Sequence, residues 1–126
     1  MPNRFDADTI AAADKGKILG IRAGSEPHKF IGIWVVVVQG RVFVRSWEMT
    51  PNGWFHTIAR EKRGIVQIGD REIPIRAIVT KSERLKAAVD EAYAAKYNTK
   101  ASMKYVKGFS RGKRRDTTTE LVPAAP

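Results

Sequence analysis

The sequence predicts a mainly β fold of the α+β class, arranged as a small barrel or as an α+β sheet. Two hairpin patterns indicate it, one turning at Gln39-Gly40 and the other at Gly69-Asp70. The four strands of these hairpins cover residues 30–38, 41–47, 64–68 and 71–79. The third observation is the length of 126 residues, which suits one domain with a single core. We therefore expect five or six mostly antiparallel strands and two or three short helices in a single domain over 1–126.

The chain begins with a predicted helix and a predicted strand. Asp6 is a good N-cap for a helix over 7–15, and Gly16 stands just past its end. A strand follows over 17–22. Glycine and proline then favour a loop over 23–28.

The middle of the chain has weaker signals. Residues 48–53 contain Pro-Asn-Gly and predict a loop, and residues 54–62 predict one or two helical turns. Pro74 falls inside the strand over 71–79, and a proline there predicts an edge position or a bulge.

The C-terminal third contains the clearest helix, over 83–97, with Ser82 as N-cap. Its apolar face consists of Leu85, Ala88, Val89, Ala92, Tyr93 and Tyr97. We expect Asn98 to end this helix in a left-handed conformation. Residues 100–115 predict an extended basic segment, and 117–122 predict a final strand.

Composition excludes several classes of site. The chain has no cysteine and two histidines, which rules out disulfides, thiolate metal sites and a three-histidine zinc site. The net charge is +10, and residues 100–115 carry seven basic side chains with no acidic one. Such a balance favours anionic partners, and the alternative is a solvated basic tail.

The first residues show no apolar leader, and the longest apolar run, Ile33–Val38, is far shorter than the ~20 residues of a membrane helix. We therefore expect a cytoplasmic protein without a membrane partner.

The first hairpin carries two different faces if Val38 pairs with Arg41. One face is aliphatic and is expected to lie in a core, where its members are Ile31, Ile33, Val35, Val37, Val42, Val44 and Ser46. The other face mixes aromatic rings with arginines, and its members are Gly32, Trp34, Val36, Val38, Arg41, Phe43, Arg45 and Trp47. On this mixed face we expect a cross-strand cation–π contact between Trp34 and Arg45.

The mixed face is too apolar to be left in water. A helix, a second subunit or a flat aromatic ligand would cover it. If the helix over 83–97 covers it, the arginines are expected to extend to solvent. If a ligand covers it, Arg45→Ala is expected to leave the fold intact and to weaken binding of an anionic aromatic molecule.

A second cluster of candidate residues follows the loop. Trp54 and Phe55 offer stacking surface, and Arg60, Lys62 and Arg63 offer phosphate contacts. His56 lies among them and is the candidate general acid. The alternative interpretation of His56 is an ordinary packing residue beside aromatic rings.

Five motifs follow one another in a specific order. They are IGIWVVVVQGRVFVRSW at 31–47, WFHTIAREKRG at 54–64, VQIGDREIPIRAIV at 66–79, EAYAAKY at 91–97 and TTTELVP at 117–123. In this order they resemble an uncharacterised bacterial family, domain of unknown function 2255. The resemblance covers roughly residues 4–123.

More distantly, the order of strands, hairpins, aromatic turn and helix is similar to the deazaflavin-dependent nitroreductases of the flavin-binding split-barrel superfamily. This resemblance implies a small six-stranded antiparallel split barrel that forms a homodimer. It also implies oxidoreductase activity, with FMN or a deazaflavin coenzyme bound at the subunit interface.

The same resemblance implies site residues. Arg45 and Ser46 match the end of the strand that meets the cofactor, while His56 stands where the deazaflavin enzymes frequently have asparagine. The residues implied to hold the phosphate are Arg45, Ser46, Arg60 and Arg63. The residues implied to wall the ring system are Trp34, Trp47 and Trp54, and Phe55 matches the second member of the aromatic pair that meets the cofactor.

Two alternative functions stay open at this point. The same fold would bind another flat anionic ligand, or would perform cofactor-free chemistry with His56. Alternatively, the basic segment over 100–115 and exposed aromatic rings would bind nucleic acid.

Overall fold

The computed structural model describes residues 4–25, 29–47 and 53–124, and these residues form six strands and five helices. The strands are β1 (Ile18–Ala23), β2 (Ile31–Val38), β3 (Arg41–Val44), β4 (Arg63–Ile68), β5 (Arg71–Val79) and β6 (Thr119–Pro123). The helices are α1 (Ala7–Lys15), α2 (Trp54–Glu61), α3 (Glu83–Lys96), α4 (Met103–Phe109) and α5 (Gly112–Asp116). The predicted loops over 23–28 and 48–53 lie partly outside the described residues.

The six strands close into an antiparallel barrel in the order β1–β2–β3–β6–β5–β4. Each strand therefore has two hydrogen-bonded neighbours, and closure removes the exposed edges that an open sheet would present. The predicted mainly β, α+β fold is confirmed, and the barrel is consistent with the predicted small split barrel. None of the helices in the described ranges is long and apolar enough to cross a bilayer.

The first hairpin turns where the sequence predicts. Gln39 and Gly40 have φ angles of 54° and 72°, the left-handed pair that a two-residue turn between twisted strands requires. Val38 pairs with Arg41, and the pairing continues as far as Val35 opposite Val44. The strand β3 then ends at Val44, so Arg45 does not pair with Trp34, which pairs with Ile18 of β1.

The barrel interior is filled by branched aliphatic side chains. From the first hairpin, Val35, Val42 and Val44 are buried there as predicted, while Ile33 and Val37 are partly buried against the same core. The expectation that Ile31 lies in the core is wrong, because this residue at the start of β2 is exposed. The other strands contribute further buried residues, among them Leu19, Ile21, Val66, Ile68, Ile75 and Leu121. Alternation along each strand places these residues inside the barrel.

Pro74 does not mark an edge strand, because β5 pairs with β4 on one side and with β6 on the other. The β6 pairing ends with Ile75 opposite Pro123, and the carbonyl of Pro74 accepts the N–H of Ala124 at 2.9 Å. The N and the C=O of one strand residue point to the same side. The missing N–H of Pro74 therefore faces the end of β6 and interrupts no pairing with β4.

The prediction of an extended basic segment over 100–115 is wrong. This part of the chain forms α4 and α5, which raises the number of helices from the predicted two or three to five in the described residues. Val106 and Phe109, three residues apart, are buried, and this apolar spacing was hidden among the lysines and arginines. The helix α3 also ends differently, at Tyr97 with φ of −106°, and Asn98 has no left-handed conformation.

Candidate ligand-binding pocket

The mixed face of the first hairpin packs beneath helices. Val36 and Phe43 form a second buried cluster with Val89, Tyr93 and Tyr97 of α3 and its end. Val106 of α4 completes this cluster, and Trp34 and Val38 pack against it. The alternative in which a helix covers the mixed face is thus what the structure shows, with α4 adding cover that the sequence did not predict.

Two side chains at the end of α3 hold the backbone of β2. The Tyr97 hydroxyl donates to the carbonyl of Lys17 at 2.6 Å and accepts the N–H of Val35 at 2.9 Å. The Lys96 ammonium donates to the carbonyls of Val35 at 2.7 Å and Ala13 at 2.9 Å. These contacts lie where the β1–β2 pairing ends, so side chains satisfy the strand backbone there. Burial raises the pKa of Tyr97 to about 12, which keeps the hydroxyl protonated.

Several aromatic rings pack against Tyr97 and against one another. The Trp34 indole stacks in parallel on the Tyr97 ring, with centroids 4.2 Å apart and an angle of 4°. Tyr105 and Phe109, from consecutive turns of α4, meet Trp34 at 6.2 and 5.9 Å. Trp47 contacts the same two rings edge-on, at 5.1 and 5.4 Å. The spacings are those of favourable aromatic pairs.

Between these rings lies an open cavity of about 310 Å³, which we call the aromatic pocket. Its lining residues are Gly32, Ile33, Trp34, Arg45, Trp47, Tyr105 and Phe109. Apart from the Arg45 side chain, the lining is apolar or aromatic. Such a cavity suits a flat, largely apolar ring system.

Arg45 is a buried anchor, with 1% of its surface exposed. Its Nε donates to the Thr118 hydroxyl at 2.7 Å. One terminal nitrogen donates to Asp90 at 2.6 Å and to the carbonyl of Phe109 at 2.8 Å, and the other donates to the carbonyl of Lys86 at 2.9 Å. The guanidinium therefore joins the end of β3 to α3, to α4 and to the residue before β6.

The expectation that Arg45 extends to solvent is wrong, since all three nitrogens of its guanidinium are used within the protein. Burial lowers the pKa of Arg45, while the hydrogen bond and the charge of Asp90 raise it. Its ring contact is with Tyr93, 5.8 Å from Cζ, and not with Trp34 as predicted. Arg45 thus positions the wall of the pocket.

A second arginine fastens α5 to α3. Arg115 donates to Asp90 at 3.0 Å and to Glu83 at 2.8 Å, and Lys86 donates to Asp116 at 3.0 Å. The hydrogen bond from Arg115 lowers the pKa of Glu83. These ion pairs, together with Arg45, keep the cover of the mixed face in place.

Ser46 and Trp47 lead out of the barrel. The N–H of Ser46, a buried residue, donates to the Thr117 hydroxyl at 2.8 Å, which fixes the chain beside the start of β6. Trp47 is 38% exposed, and the Arg114 guanidinium lies over its ring at 3.8 Å. The Nε of Arg114 also donates to the carbonyl of Trp47 at 2.9 Å, so this indole has a fixed position.

The second predicted cluster lies elsewhere in the fold. Trp54 is buried in the barrel core together with Ile58, and Phe55 packs partly against that core. Neither ring lines the aromatic pocket, so the structure does not bring them together with Trp34 and Trp47. Trp54 and Ile58 are four residues apart on α2, so both side chains lie on the helix face that packs against the barrel core.

His56 and the two arginines of that cluster also lie away from the aromatic pocket. The Nδ1 atom of His56 is buried and has no hydrogen-bond partner among the described residues, and the ring meets Phe55 edge-on at 5.7 Å. Arg60 contacts Glu61 at 3.3 Å, and Arg63 is exposed at the start of β4. The described residues contain no group of three or more histidine and acidic side chains that would hold a metal.

The fold and the pocket define a class of protein: a small closed antiparallel barrel with an aromatic ligand-sized pocket on its outer face. The chain belongs to the family described as uncharacterized protein conserved in bacteria, domain of unknown function 2255, whose model matches residues 6–121. The resemblance to that family noted in the sequence is confirmed.

One similar solved structure is the conserved hypothetical protein Rv2991 from Mycobacterium tuberculosis. It has a TM-score of 0.63 and 12% sequence identity, and the match covers 99% of this chain and 86% of that chain. At this identity the likeness shows a shared fold. No curated protein matches the sequence.

Sequence reasoning found part of the pocket and missed the rest. Trp34, Arg45 and Trp47 were predicted and do line it. Tyr105 and Phe109 were missed because their segment was interpreted as extended. Their spacing of four residues, which places both rings on one helical face, was the available signal.

Proposed function

We propose that this protein binds a flavin-type cofactor, FMN or a deazaflavin coenzyme, and acts as an oxidoreductase. The observation that supports this best is the aromatic pocket, where Trp34, Trp47, Tyr105 and Phe109 surround a cavity of about 310 Å³. Ligand sites usually measure roughly 300–1,000 Å³. The pocket therefore suits a ring system, with the remainder of the ligand outside. The resemblance to the split-barrel superfamily favours this ligand class.

The residues of the pocket would hold the cofactor mainly by stacking and exclusion of water. Trp34 is fixed from behind by Tyr97, and Trp47 is fixed by Arg114, so neither indole needs to be ordered when a ring binds. Arg45 holds the carbonyl of Phe109 and thereby the position of α4. When bound, a flavin-type group supplies hydride and electron transfer, and the protein supplies orientation and electrostatics.

The proposal includes a homodimer. Ile18 and Gly32 are exposed on neighbouring strands beside the pocket, and Gly32 itself lines it. A second copy placed over this apolar surface would deepen the pocket. Light scattering across the micromolar range tests this, and a mass of one chain per particle throughout would contradict it.

The experiment on the cofactor has two steps. Freshly purified protein is examined by absorbance spectroscopy, and any released small molecule is identified by mass spectrometry. FMN and a deazaflavin coenzyme are then titrated into the protein. A flavin-like spectrum or saturable binding of either compound supports the proposal. Binding of neither compound contradicts it, and release of a different planar anion would assign the pocket to another ligand of similar shape.

Two variants locate the binding site. Trp47→Leu removes an exposed ring of the pocket and is expected to weaken binding about tenfold, the upper range for one aromatic contact. Phe55→Leu removes a ring of the other predicted cluster and is expected to leave the affinity unchanged. The reverse result would move the site to α2 and would restore a role for His56.

A further inference from the structure

A basic groove adjoins the aromatic pocket. We use this name for the open hollow of about 440 Å³ lined by Trp47, Lys104, Gly108, Arg111, Gly112, Lys113 and Arg114. Four of its seven lining residues are cationic, and no acidic side chain among the described residues lines it. A concave surface of one charge sign concentrates oppositely charged groups.

Trp47 is shared by the aromatic pocket and the basic groove. Helix geometry explains why the two hollows lie next to each other. Tyr105 and Phe109 are four residues apart and face the pocket, while Lys104 and Gly108, each one position earlier, face the groove. Neighbouring sides of α4 thus present rings to one hollow and charge to the other.

The charges of the groove are not neutralised within the described part of the protein. Arg115, just beyond the groove, is paired with Glu83 and Asp90. By contrast, Lys104, Arg111 and Lys113 have no carboxylate within ion-pair distance among the residues that the structure describes. Like charges held close together repel one another, and a bound anion would offset that repulsion.

Two glycines allow the groove to have this shape. A Cβ atom on Gly108 would lie 2.6 Å from the Trp47 ring, so only glycine lets α4 approach the indole this closely. Gly112 has a φ of +63°, a left-handed conformation that L side chains rarely adopt. It lies at the turn from α4 into α5, which brings Lys113 and Arg114 to the same hollow as Lys104.

We propose that the basic groove binds the anionic part of the molecule whose ring occupies the aromatic pocket. The ligand is then a planar aromatic compound with a phosphate or a similarly charged tail, and this inference rests on the proposed function. Lys104, Arg111 and Lys113 bind the tail, and Trp47 separates ring and tail. The phosphate contacts implied by the resemblance, through Arg45, Ser46, Arg60 and Arg63, move to α4 and α5.

The test compares two ligands that differ by one phosphate. FMN and riboflavin are titrated into the wild-type protein and into the double variant Lys104→Gln/Lys113→Gln. The wild type is expected to bind FMN about tenfold or more tightly than riboflavin, the range for hydrogen bonds to charged groups. The double variant is expected to lose most of this preference while its affinity for riboflavin stays unchanged.

The matched control is Arg60→Gln/Arg63→Gln, which removes the same charge from the other predicted cluster. It is expected to retain the preference for FMN. Loss of the preference in this control, or its retention in the groove variant, would overturn the proposal. Equal binding of FMN and riboflavin by the wild type would also overturn it and would leave the proposed function intact.

Pyrophosphate alone provides a readout without any ring. We expect salt-sensitive binding to the wild type that the groove variant loses, because separated charges interact less at high ionic strength. If pyrophosphate binds this way and no flavin does, the proposed function fails while the anion site stands. If single-stranded DNA binds more tightly than FMN and needs the same lysines, the groove is a nucleic-acid site and the proposal is wrong.

Discussion

The barrel interior and the aromatic layer outside it are built on different principles. Inside, most side chains are branched and aliphatic and come from alternate positions of all six strands, with the Trp54 indole of α2 packed among them. Outside, the first hairpin meets α3 and α4 through valines as well as rings, and hydroxyl groups and one buried guanidinium add polar contacts. Small branched side chains fill space well, whereas flat rings meeting edge-on leave a gap, and the aromatic pocket is that gap.

The two regions also differ in what holds them together. The interior is stabilised by the removal of apolar surface from water, and this hydrophobic effect is not directional. The outer layer depends on directed hydrogen bonds to backbone atoms: Tyr93 donates to the carbonyl of Trp34 at 3.2 Å, and Tyr97 and Lys96 bind Val35. Directed bonds fix the backbone that carries Trp34, and a binding surface requires fixed positions.

The largest expected effect is in the interior. Val35→Asp puts an unpaired charge at a position that is 1% exposed. We expect a loss of about 5 kcal/mol or more in the free energy of unfolding, which would unfold a domain of ordinary stability. Urea denaturation followed by far-ultraviolet circular dichroism measures this.

The matched control for that change is Ile78→Asp, on β5 but 50% exposed. It is expected to cost less than about 1 kcal/mol, as surface substitutions usually do. Equal losses at the two positions would mean that the inside and the outside of the barrel are wrongly assigned.

The second largest effect is expected at Arg45. The sequence predicts that loss of this side chain leaves the fold intact, but because Arg45 is buried we expect its loss to destabilise the fold. Arg45→Met leaves the Thr118 hydroxyl and two backbone carbonyls without this donor, and Asp90 keeps only its contact with Arg115. We expect a loss of about 3–5 kcal/mol, because several acceptors, most of them buried, lose their hydrogen-bond donor at once. Arg45→Lys keeps the charge without the planar fork and is expected to recover only part of this. A fully stable Arg45→Met protein would show that the outer layer does not depend on this anchor.

Sequence patterns predicted the interior better than the outer layer, for a physical reason. Alternation along strands is local, so the Gln39-Gly40 turn and the buried valines around it followed from a few neighbouring residues. The partners of Arg45 come from positions 86, 90, 109 and 118, far along the chain. Only the closed fold brings them together. The helix α4 was missed because high charge concealed a short apolar spacing, and α5 was missed because it has no buried residue to signal it.

A smaller effect tests the hydroxyl that holds β2. Tyr97→Phe leaves the N–H of Val35 and the carbonyl of Lys17 without this partner. We expect a loss of about 1–3 kcal/mol at neutral pH, the cost of unsatisfied buried polar groups. Tyr105→Phe, at an exposed ring, is the control and should change little.

Tyr97 also makes the stability of the fold depend on pH. The folded state raises the pKa of Tyr97 from 10.0 to about 12, so the unfolded chain releases this proton first as the pH rises. Tyr97 therefore stabilises the fold fully below pH 10, and this contribution is lost between pH 10 and about 12. Tyr97→Phe is expected to make the alkaline loss of stability shallower. Part of that loss is expected to remain, because burial also raises the pKa of Tyr93. An unchanged alkaline slope would contradict the role given to Tyr97.

The smallest effect distinguishes the rim of the outer layer from its centre. Arg114 lies over the exposed Trp47 ring and, unlike Arg45, is only partly buried. A cation–π contact at such a site contributes about 0.5–1 kcal/mol, so Arg114→Gln is expected to change the free energy of unfolding by no more than that. The indole should nevertheless become more mobile, because its cover and the bond to its carbonyl are both lost. Time-resolved fluorescence anisotropy, in a protein whose Trp34 and Trp54 are replaced by phenylalanine, would detect that motion. An indole as rigid as in the parent would mean that Gly108 and the neighbouring rings hold Trp47 without the arginine.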